Sequence, residues 1–235
     1  GALSPWLISL DGQPLQPRRA TRNDLLLGPG MRADLAVDGP AAPGNRFEVV
    51  DRYDRGPLVL AEVEVLRGRS ARSEPLARPK ALPANPISIP KLSSATRLQV
   101  VFGGGAMAGM MGMGPANMMG MARSGRFWAV NGRFEPPLEK GIQPLFVLKR
   151  NQTYVLALVN RTAFDHPIHL HGHVFQVLSE GGRRIDTPTF RDSVTIRPRE
   201  MTEIAFVADN PGDWMFHCHI LSHQASGMMS VLRVE

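Results

Sequence analysis

The sequence predicts an all-β fold, a sandwich or barrel of short strands, and three observations support this prediction. Alternation of apolar and polar residues recurs in short runs, which is typical of strands with one buried face. The 23 glycines and 20 prolines interrupt the chain at short intervals. No segment shows a sustained helical period of apolar residues with caps at its ends. The alternating runs are residues 62–65, 154–159, 174–178, 203–207 and 229–234.

Composition divides the chain of 235 residues into two predicted domains and a linker. Residues 67–95 are rich in Pro, Arg and Ser and lack apolar periodicity, as interdomain linkers do. Residues 1–66 are too few for a free-standing sandwich of about 100 residues, so we interpret them as the end of a domain whose beginning is absent. Residues 96–235 are enough for one complete domain.

Charge and hydropathy exclude several classes of partner. Hydrophobic residues make up 43 % of the chain and charged residues 20 %, as in soluble globular proteins, and no apolar run reaches the roughly 18 residues of a membrane span. The net charge of +6 would permit nucleic-acid binding. However, the densest basic stretch, Arg67 to Lys80, has no interleaved aromatic residues and no accompanying nucleic-acid motif, so a solvated linker is the better interpretation.

The histidines predict metal binding. All seven lie in two short windows, His166 to His173 and His217 to His223. One histidine on an apolar face is more often a core residue than a ligand, but this explanation weakens when seven are clustered. The single cysteine, Cys218, lies in the second window and excludes an internal disulfide.

The spacing around this cysteine is that of a blue-copper site. Cys218, His223 and Met228 are separated by four residues each, so a strand that ends at the cysteine can turn and bring an imidazole and a thioether back to it. With a second imidazole they form a His2Cys site with a weak axial methionine. Zinc fits less well, because structural zinc sites use Cys and His.

The alternation of side chains along a strand assigns the other histidines. If Cys218 faces the blue-copper site, then His217 and His219 face away from it and serve a different centre. His166 lies three residues before His169 and should point the opposite way, so we predict that it is the second blue-copper imidazole. The second centre then contains His169, His171, His217 and His219. His173 lies about 7 Å further along a strand and is expected to support or pack rather than bind metal.

These residues resemble a known family. HPIHLHG at 166–172 and HCHILSHQASGMM at 217–229 are similar to the two C-terminal copper motifs of multicopper oxidases, including the bacterial laccase-like and cuprous oxidases. A weaker resemblance covers most of the chain, with residues 11–38 similar to the end of the family's second cupredoxin domain and 127–135 to the start of its third. The resemblance implies cupredoxin-like Greek-key sandwiches.

The resemblance also implies a role for each ligand. His166, Cys218, His223 and Met228 would hold the type 1 copper, His169 the type 2 copper, and His171, His217 and His219 the type 3 pair. The implied enzyme is a copper-dependent oxidase that removes one electron at a time from phenols, aromatic substrates or Cu(I). The electrons would pass through Cys218 to His217 and His219, and O2 would be reduced to water. The axial Met228 predicts a moderate type 1 potential.

Two departures from the family pattern concern the oxygen-reducing cluster. Bacterial members often carry a carboxylate after the second type 1 histidine, but this chain has Gln224, so protons must come from elsewhere. The family's cluster uses eight imidazoles and this chain supplies four, since the others belong to the first domain. An N-terminal cupredoxin segment, or a separate chain, is therefore the expected partner.

A glycine- and methionine-rich insertion occupies residues 103–121. Soft thioethers select Cu(I), so the insertion is a candidate Cu(I) site, although methionines also commonly fill apolar gaps. The seven methionines are Met107, Met110, Met111, Met113, Met118, Met119 and Met121.

Two other functions remain open, an electron-transfer cupredoxin and a copper-tolerance binding protein, neither of which reduces oxygen. The four histidines of the second centre favour the oxidase, because an electron carrier does not need them. The family's export predicts a periplasmic or secreted location.

Overall fold

The computed structural model describes residues 5–21, 25–37, 42–53, 56–68, 74, 77–105, 125–134, 143–187 and 189–235. Strands dominate these residues, which confirms the predicted all-β class; the helices among them are a 3₁₀ helix at Leu92–Ser94 and one short α-helix. The elements are β1 (Trp6–Leu10), β2 (Gln13–Arg19), β3 (Ala33–Ala36), β4 (Arg46–Asp51), β5 (Leu58–Glu64), β6 (Thr96–Gly104), β7 (Trp128–Val130), β8 (Phe146–Leu148), β9 (Thr153–Asn160), β10 (His166–Leu170), β11 (Phe175–Glu180), β12 (Arg183–Arg184), β13 (Phe190–Arg191), β14 (Ser193–Ile196), β15 (Met201–Val207), β16 (Gly212–Cys218), α1 (Leu221–Ala225) and β17 (Met229–Val234).

Each alternating run of the sequence lies in a strand or overlaps one. The runs 154–159, 203–207 and 229–234 lie within β9, β15 and β17, and the other two overlap β5 and β11. For β9, β11, β15 and β17 the prediction is correct because each strand buries at least one face, as the alternating exposure of β17 illustrates.

The chain forms two compact units. The first contains residues Gly1–Ser9, Pro14–Leu26 and Ala33–Pro83, and the second contains Leu10–Gln13, Leu27–Arg32 and Ala84–Glu235. Apart from Leu10 and Gln13, a three-stranded sheet of order β2-β1-β3 lies within the first unit. The same unit contains the antiparallel pair β4-β5, whose second strand is exposed along its whole length. The domain boundaries at 1–66, 67–95 and 96–235 stay predictions.

The second unit is built from two sheets. One has the order β14-β10-β16-β17-β8, and the other has the order β12-β11-β15-β9-β6-β7 with β13 paired to β11. Most neighbours are antiparallel, but β17 pairs with β8, and β6 with β9, in parallel. Strands distant in sequence are therefore adjacent in each sheet, as in Greek-key topologies.

Apolar side chains from both sheets form one hydrophobic core. Phe102 of β6 and Phe216 of β16 are fully buried, and their ring centroids are 6.1 Å apart. Cys218 and Met228 belong to the same core cluster and are also fully buried. The cysteine is thus held at the end of a strand whose preceding residues are fixed by packing.

The pairing of β10 with β16 brings the two histidine windows together. In this antiparallel register Ile168 lies opposite Cys218, and His169 lies opposite His217. Since opposite residues share a face of the sheet, His169 and His217 lie on one side and Cys218 on the other. Among the described residues, no helix has both the length and the apolar character needed to cross a bilayer.

Candidate metal centre

Three predicted ligands meet at one buried point of the second unit. The Sγ atom of Cys218 lies 3.9 Å from His166 Nδ1 and 3.7 Å from His223 Nδ1, and the two nitrogens are 3.2 Å apart. This is the one group of His, Cys, Asp or Glu ligand atoms in the described part of the chain that converges within 4.8 Å. It is the trio that spacing and alternation predicted.

The backbone brings Met228 back to the same place. The turn through α1 is closed by hydrogen bonds in which Met228 N–H donates to His223 O at 2.9 Å and Cys218 N–H donates to Met228 O at 3.1 Å. The thioether side chain is fully buried in the core cluster that includes Cys218. The predicted axial ligand is therefore tied by its backbone to two of the other ligands.

Burial disfavours the charged forms of these side chains. Burial, and then the nearby His223, lower the pKa of His166 to about 3, and burial also lowers the pKa of His223. Burial raises the pKa of the Cys218 thiol to about 12. Neutral imidazoles keep a free lone pair, while the thiol must lose its proton to a bound metal before it becomes a ligand.

An aromatic side chain missed by the sequence analysis covers the two imidazoles. The ring centroid of Trp128 lies 4.3 Å from that of His223 and 5.1 Å from that of His166. Phe164 packs edge-on against Trp128 at 5.4 Å and is 41 % exposed, so it forms the outer edge of this group. These rings exclude water from one side of the site and restrict rotation of the imidazoles.

The four other predicted ligands gather on the opposite face. Ring centroids are 4.8 Å apart for His169 and His171, 5.1 Å for His171 and His217, and 5.4 Å for His217 and His219. The Nε2 atoms of His171 and His217 lie 3.0 Å apart. The six predicted histidine ligands and Cys218 thus lie in the two groups expected. The type of copper that each would bind stays a prediction.

Hydrogen bonds fix which nitrogen is available in two members of this second group, His169 and His217. His169 Nδ1 lies 2.8 Å from Asp192 O, and His217 Nδ1 lies 2.9 Å from Cys218 O. Because a carbonyl oxygen only accepts, each Nδ1 carries the hydrogen, and Nε2 keeps its lone pair. His169 and His217 therefore present Nε2 to a metal, whereas His166 and His223 present Nδ1 to the cysteine.

Asp192 supports His169, and the sequence analysis did not find it. Its carboxylate accepts from both terminal nitrogens of Arg32, at 2.6 and 3.2 Å, and from Ser193 Oγ. Burial raises the pKa of Asp192, but hydrogen bonds from His169, Arg32 and Ser193 outweigh it and hold the pKa below its usual value. Burial lowers the pKa of His169, yet its bonds to Asp192 raise it overall.

A buried carboxylate anchors the loop that carries Asp192. Asp11 Oδ2 accepts from the backbone N–H groups of Asp192 and Ser193, and Oδ1 accepts from Arg32 N–H at 2.8 Å. Burial raises the pKa of Asp11. Segments 10–13 and 27–32 belong to the second compact unit, where Asp11 and Arg32 hold the Asp192 loop.

Two glycines are required by close packing at this group. Gly30 has φ +81°, and a Cβ there would overlap the imidazole of His219. Gly172 has φ +67°, and a Cβ there would overlap the indole of Trp214. The Gly30 segment thus forms a wall against His219, and Gly172 lets β10 turn tightly after His171.

His173 differs from the other histidines. It is 8 % exposed and packs edge-on against Phe206 and Trp214, and its Nδ1 lies 3.3 Å from His171 O. Its Nε2 has no hydrogen-bond partner among the described residues. These contacts support the interpretation of His173 as a packing residue. Together with His169, His171, Asp192 and Asp209, it lines an open cleft of about 480 Å³.

The donor set fits copper. Two imidazoles, one thiolate and one thioether are a combination of borderline and soft ligands, which suits a metal that alternates between Cu(I) and Cu(II). The group of imidazoles on the other face lies beside an open cleft, so it can accept further ligands. The methionines of the 103–121 insertion lie outside the described residues.

Comparisons with known proteins agree with this site. The family model described as multicopper oxidase matches residues 116–235. The multicopper oxidase MmcO of Mycobacterium tuberculosis is 31 % identical over 227 residues, which are 94 % of this chain and 40 % of MmcO. Laccase-1 of Botryotinia fuckeliana is 28 % identical over 257 aligned residues, with 94 % of this chain and 44 % of the laccase covered.

Solved structures show the same fold. The crystal structure of a multicopper oxidase from Pseudomonas thermotolerans matches with a TM-score of 0.75 and 31 % identity over 99 % of this chain and 50 % of that chain. The McoA multicopper oxidase of Aquifex aeolicus, at 22 % identity and a TM-score of 0.73, supports the fold alone. The predicted cupredoxin-like fold is thereby confirmed.

The chain spans about half the length of these solved relatives and less of the curated ones. The region matched by the family model includes both histidine windows and the strands β7 to β17, but not β6. From the copper motifs, the geometry around Cys218 and these matches, it follows that this chain belongs to the multicopper oxidase family.

Proposed function

We propose that this chain is the C-terminal part of an oxidase that couples one-electron oxidation of phenols, aromatic substrates or Cu(I) to four-electron reduction of O2 to water. One observation carries the proposal. Cys218 faces His166 and His223, while its chain neighbours His217 and His219 face the second group of imidazoles. Copper, when bound at these residues, supplies the one-electron redox chemistry.

The protein's own groups have distinct tasks in this proposal. Cys218 joins the two sites through one peptide bond on each side, which is a short covalent path between them. The indole of Trp128 covers His223 on the cysteine side. The backbone carbonyl oxygen of Asp192 orients His169, and that of Cys218 orients His217. The cleft beside His169 and His171 gives small molecules a way to the second site.

The alternatives are less well supported. An electron-transfer cupredoxin needs only the cysteine-side ligands. Four imidazoles within ring-centroid distances of 4.8 to 5.7 Å on the opposite face have no role in an electron carrier. A copper-tolerance protein without turnover could bind copper through them, but it has no need of a cysteine that joins the two groups. The family's export supports a periplasmic or secreted location for the oxidase.

We further propose that an N-terminal cupredoxin segment of the same protein, or a separate chain, completes the oxygen-reducing site. The relatives are about twice as long as this chain. We expect this chain alone, loaded with copper, to bind the ion at the cysteine side and to consume no oxygen with a phenol as donor, because half of the cluster ligands are missing. An oxygen electrode makes the measurement.

The control is the same chain combined with its N-terminal segment, which should consume one O2 for every four electrons taken from the phenol. Sustained oxygen uptake by the purified chain without any other polypeptide would contradict the partner proposal. An intact assembly that holds copper and oxidises a phenol, but leaves O2 unreduced, would favour the electron carrier.

The methionine-rich insertion leads to a separate proposal, that residues 103–121 collect Cu(I) for oxidation. We expect replacement of all seven methionines by Leu to slow Cu(I) oxidation strongly, because thioethers are the soft ligands that select Cu(I). Oxidation of a bulky phenol should be unchanged or faster. Stopped-flow measurement of both substrates with the intact enzyme separates these effects.

A matched control is Met201→Leu, which removes a partly exposed methionine on β15 and should change neither rate. Unchanged Cu(I) kinetics in the sevenfold variant would show that the insertion has no part in Cu(I) oxidation.

A further inference from the structure

Thr162 forms a hydrogen bond with His166, one of the predicted copper ligands. Its Oγ1 atom lies 2.7 Å from Nε2 of His166, the ring nitrogen on the opposite side from Cys218. Both residues are buried, with 4 % and 0 % exposure, so water does not compete for this contact. The contact therefore decides which nitrogen of His166 carries the hydrogen.

Asn160 determines the direction of that hydrogen bond. Its side-chain nitrogen lies within 3.1 Å of three backbone carbonyl oxygens, those of Phe164, Ile196 and Arg197. Because carbonyl oxygens only accept, this atom must be the amide nitrogen, and Oδ1 points the other way. The orientation of the Asn160 amide is thus fixed by its surroundings.

The acceptor Oδ1 of Asn160 then orients Thr162. It accepts from Thr162 N–H at 2.8 Å, and it also lies 2.8 Å from Thr162 Oγ1. The hydroxyl has one hydrogen, and its nearest obligatory acceptor is this oxygen. Oγ1 therefore donates to Asn160 and accepts from Phe164 N–H at 3.2 Å and from His166.

The network leaves His166 in one tautomer. Since the hydroxyl hydrogen of Thr162 points to Asn160, Nε2 of His166 must be the donor in its contact with Oγ1. The lone pair of the neutral ring therefore lies on Nδ1. That nitrogen faces Cys218 Sγ at 3.9 Å and His223 Nδ1 at 3.2 Å. The imidazole is thus prepared to bind a metal through Nδ1 without rotating or moving a proton.

We propose that Thr162, oriented by Asn160, is a positioning residue that holds His166 with Nδ1 towards the type 1 copper and thereby lowers the reduction potential of that copper. A hydrogen bond donated by the far ring nitrogen makes an imidazole a stronger donor to its metal. Stronger donation stabilises Cu(II) relative to Cu(I). This inference rests on the proposed function, because it requires a type 1 copper.

The experiment measures the type 1 reduction potential of the intact, copper-loaded protein by following its blue absorption at poised potentials. Thr162→Val replaces the hydroxyl by a methyl group of similar size, so we expect a higher potential and copper binding weaker by about 10–100-fold. Thr162→Ser keeps the hydroxyl, so this variant should have the reduction potential of the wild-type protein. The potential distinguishes positioning from a general loss of stability.

Thr153→Val is the matched control. Thr153 is also a buried threonine of this sandwich, and its hydroxyl accepts a hydrogen bond from Lys91 N–H at 3.0 Å rather than from a histidine. This variant should lose stability and keep the wild-type potential. Equal potentials in wild type and Thr162→Val, or a shift of the same size in Thr153→Val, would overturn the inference.

A measurement on the unsubstituted protein covers the case in which Thr162→Val does not fold. Nitrogen-15 NMR of the metal-free protein labelled at histidine should show His166 protonated at Nε2, with its signal identified by its loss in His166→Gln. Protonation at Nδ1 instead would overturn the inference. A wild-type protein without blue absorption after copper loading contradicts the proposed function itself, and so the two failures are distinguishable.

Discussion

Cys218→Ser is expected to abolish the blue absorption and all oxidase activity while leaving the fold intact. The thiolate is the ligand that makes a type 1 copper intensely coloured, and a serine hydroxyl does not replace it. The side chain is fully buried, with imidazole nitrogens 3.7 and 3.9 Å from Sγ, and the exchange of one buried sulfur for an oxygen changes its volume little. We therefore expect the metal-free protein to lose less than about 2 kcal/mol in free energy of unfolding.

Absorption spectra, oxygen uptake and thermal unfolding of the metal-free protein make the comparison. Ser230→Ala serves as the control, because Ser230 is buried on the neighbouring strand β17 and its hydroxyl bonds to Phe216 O rather than to a predicted ligand. That variant should stay blue and active. A Cys218→Ser protein that remained blue would disprove the type 1 assignment.

His171→Gln is expected to remove oxygen reduction while the blue copper remains. His171 lies on the far face of β10–β16, with Nε2 3.0 Å from that of His217, and makes no contact with the cysteine-side group in the described structure. The phenol should therefore still bleach the blue band once, by donating one electron, but reoxidation by O2 should fall to background. Anaerobic reduction followed by mixing with O2 measures the two steps separately.

The matched variant is His173→Gln, two residues further along. His173 packs against Phe206 and Trp214 and contacts His171 through the backbone carbonyl, so its replacement should cost stability and leave reoxidation near the wild-type rate. If His171→Gln reoxidised as fast as wild type, the second group of imidazoles would not be the oxygen-reducing site. If His173→Gln lost reoxidation instead, His173 would have to be counted among its ligands.

The fold class and the sorting of the histidines could be predicted because both depend on local periodicity. Adjacent residues of a strand face opposite sides, and this alone separates Cys218 from His217 and His219. The same rule separated His166 from His169, and the register of β10 with β16 agrees with it.

The supporting residues could not be predicted because they depend on contacts between distant parts of the sequence. Arg32 and Asp192 are 160 positions apart, and no local pattern connects them. Thr162 is close to His166 in sequence, and one signal was available: a polar Asn160 ends the apolar strand β9, where a buried amide requires an organised set of partners. The contact of Gly30 with His219 could not be predicted, because nothing in the local sequence shows which side chain packs against a glycine.

The anchoring of the Asp192 loop by Asp11 and Arg32 limits how this protein can be divided. In sequence, the copper-binding sandwich looks like a module that could be separated at the linker and fused to another protein. Asp11 and Arg32 precede that linker, yet they hold the loop beside His169, and the wall at Gly30 adjoins His219. A cut at residue 84 would leave the backbone N–H groups of Asp192 and Ser193 without their acceptor. The segments that form this copper site are therefore discontinuous in sequence. Recombination between related oxidases at the linker would separate Asp11 and Arg32 from the loop that they hold.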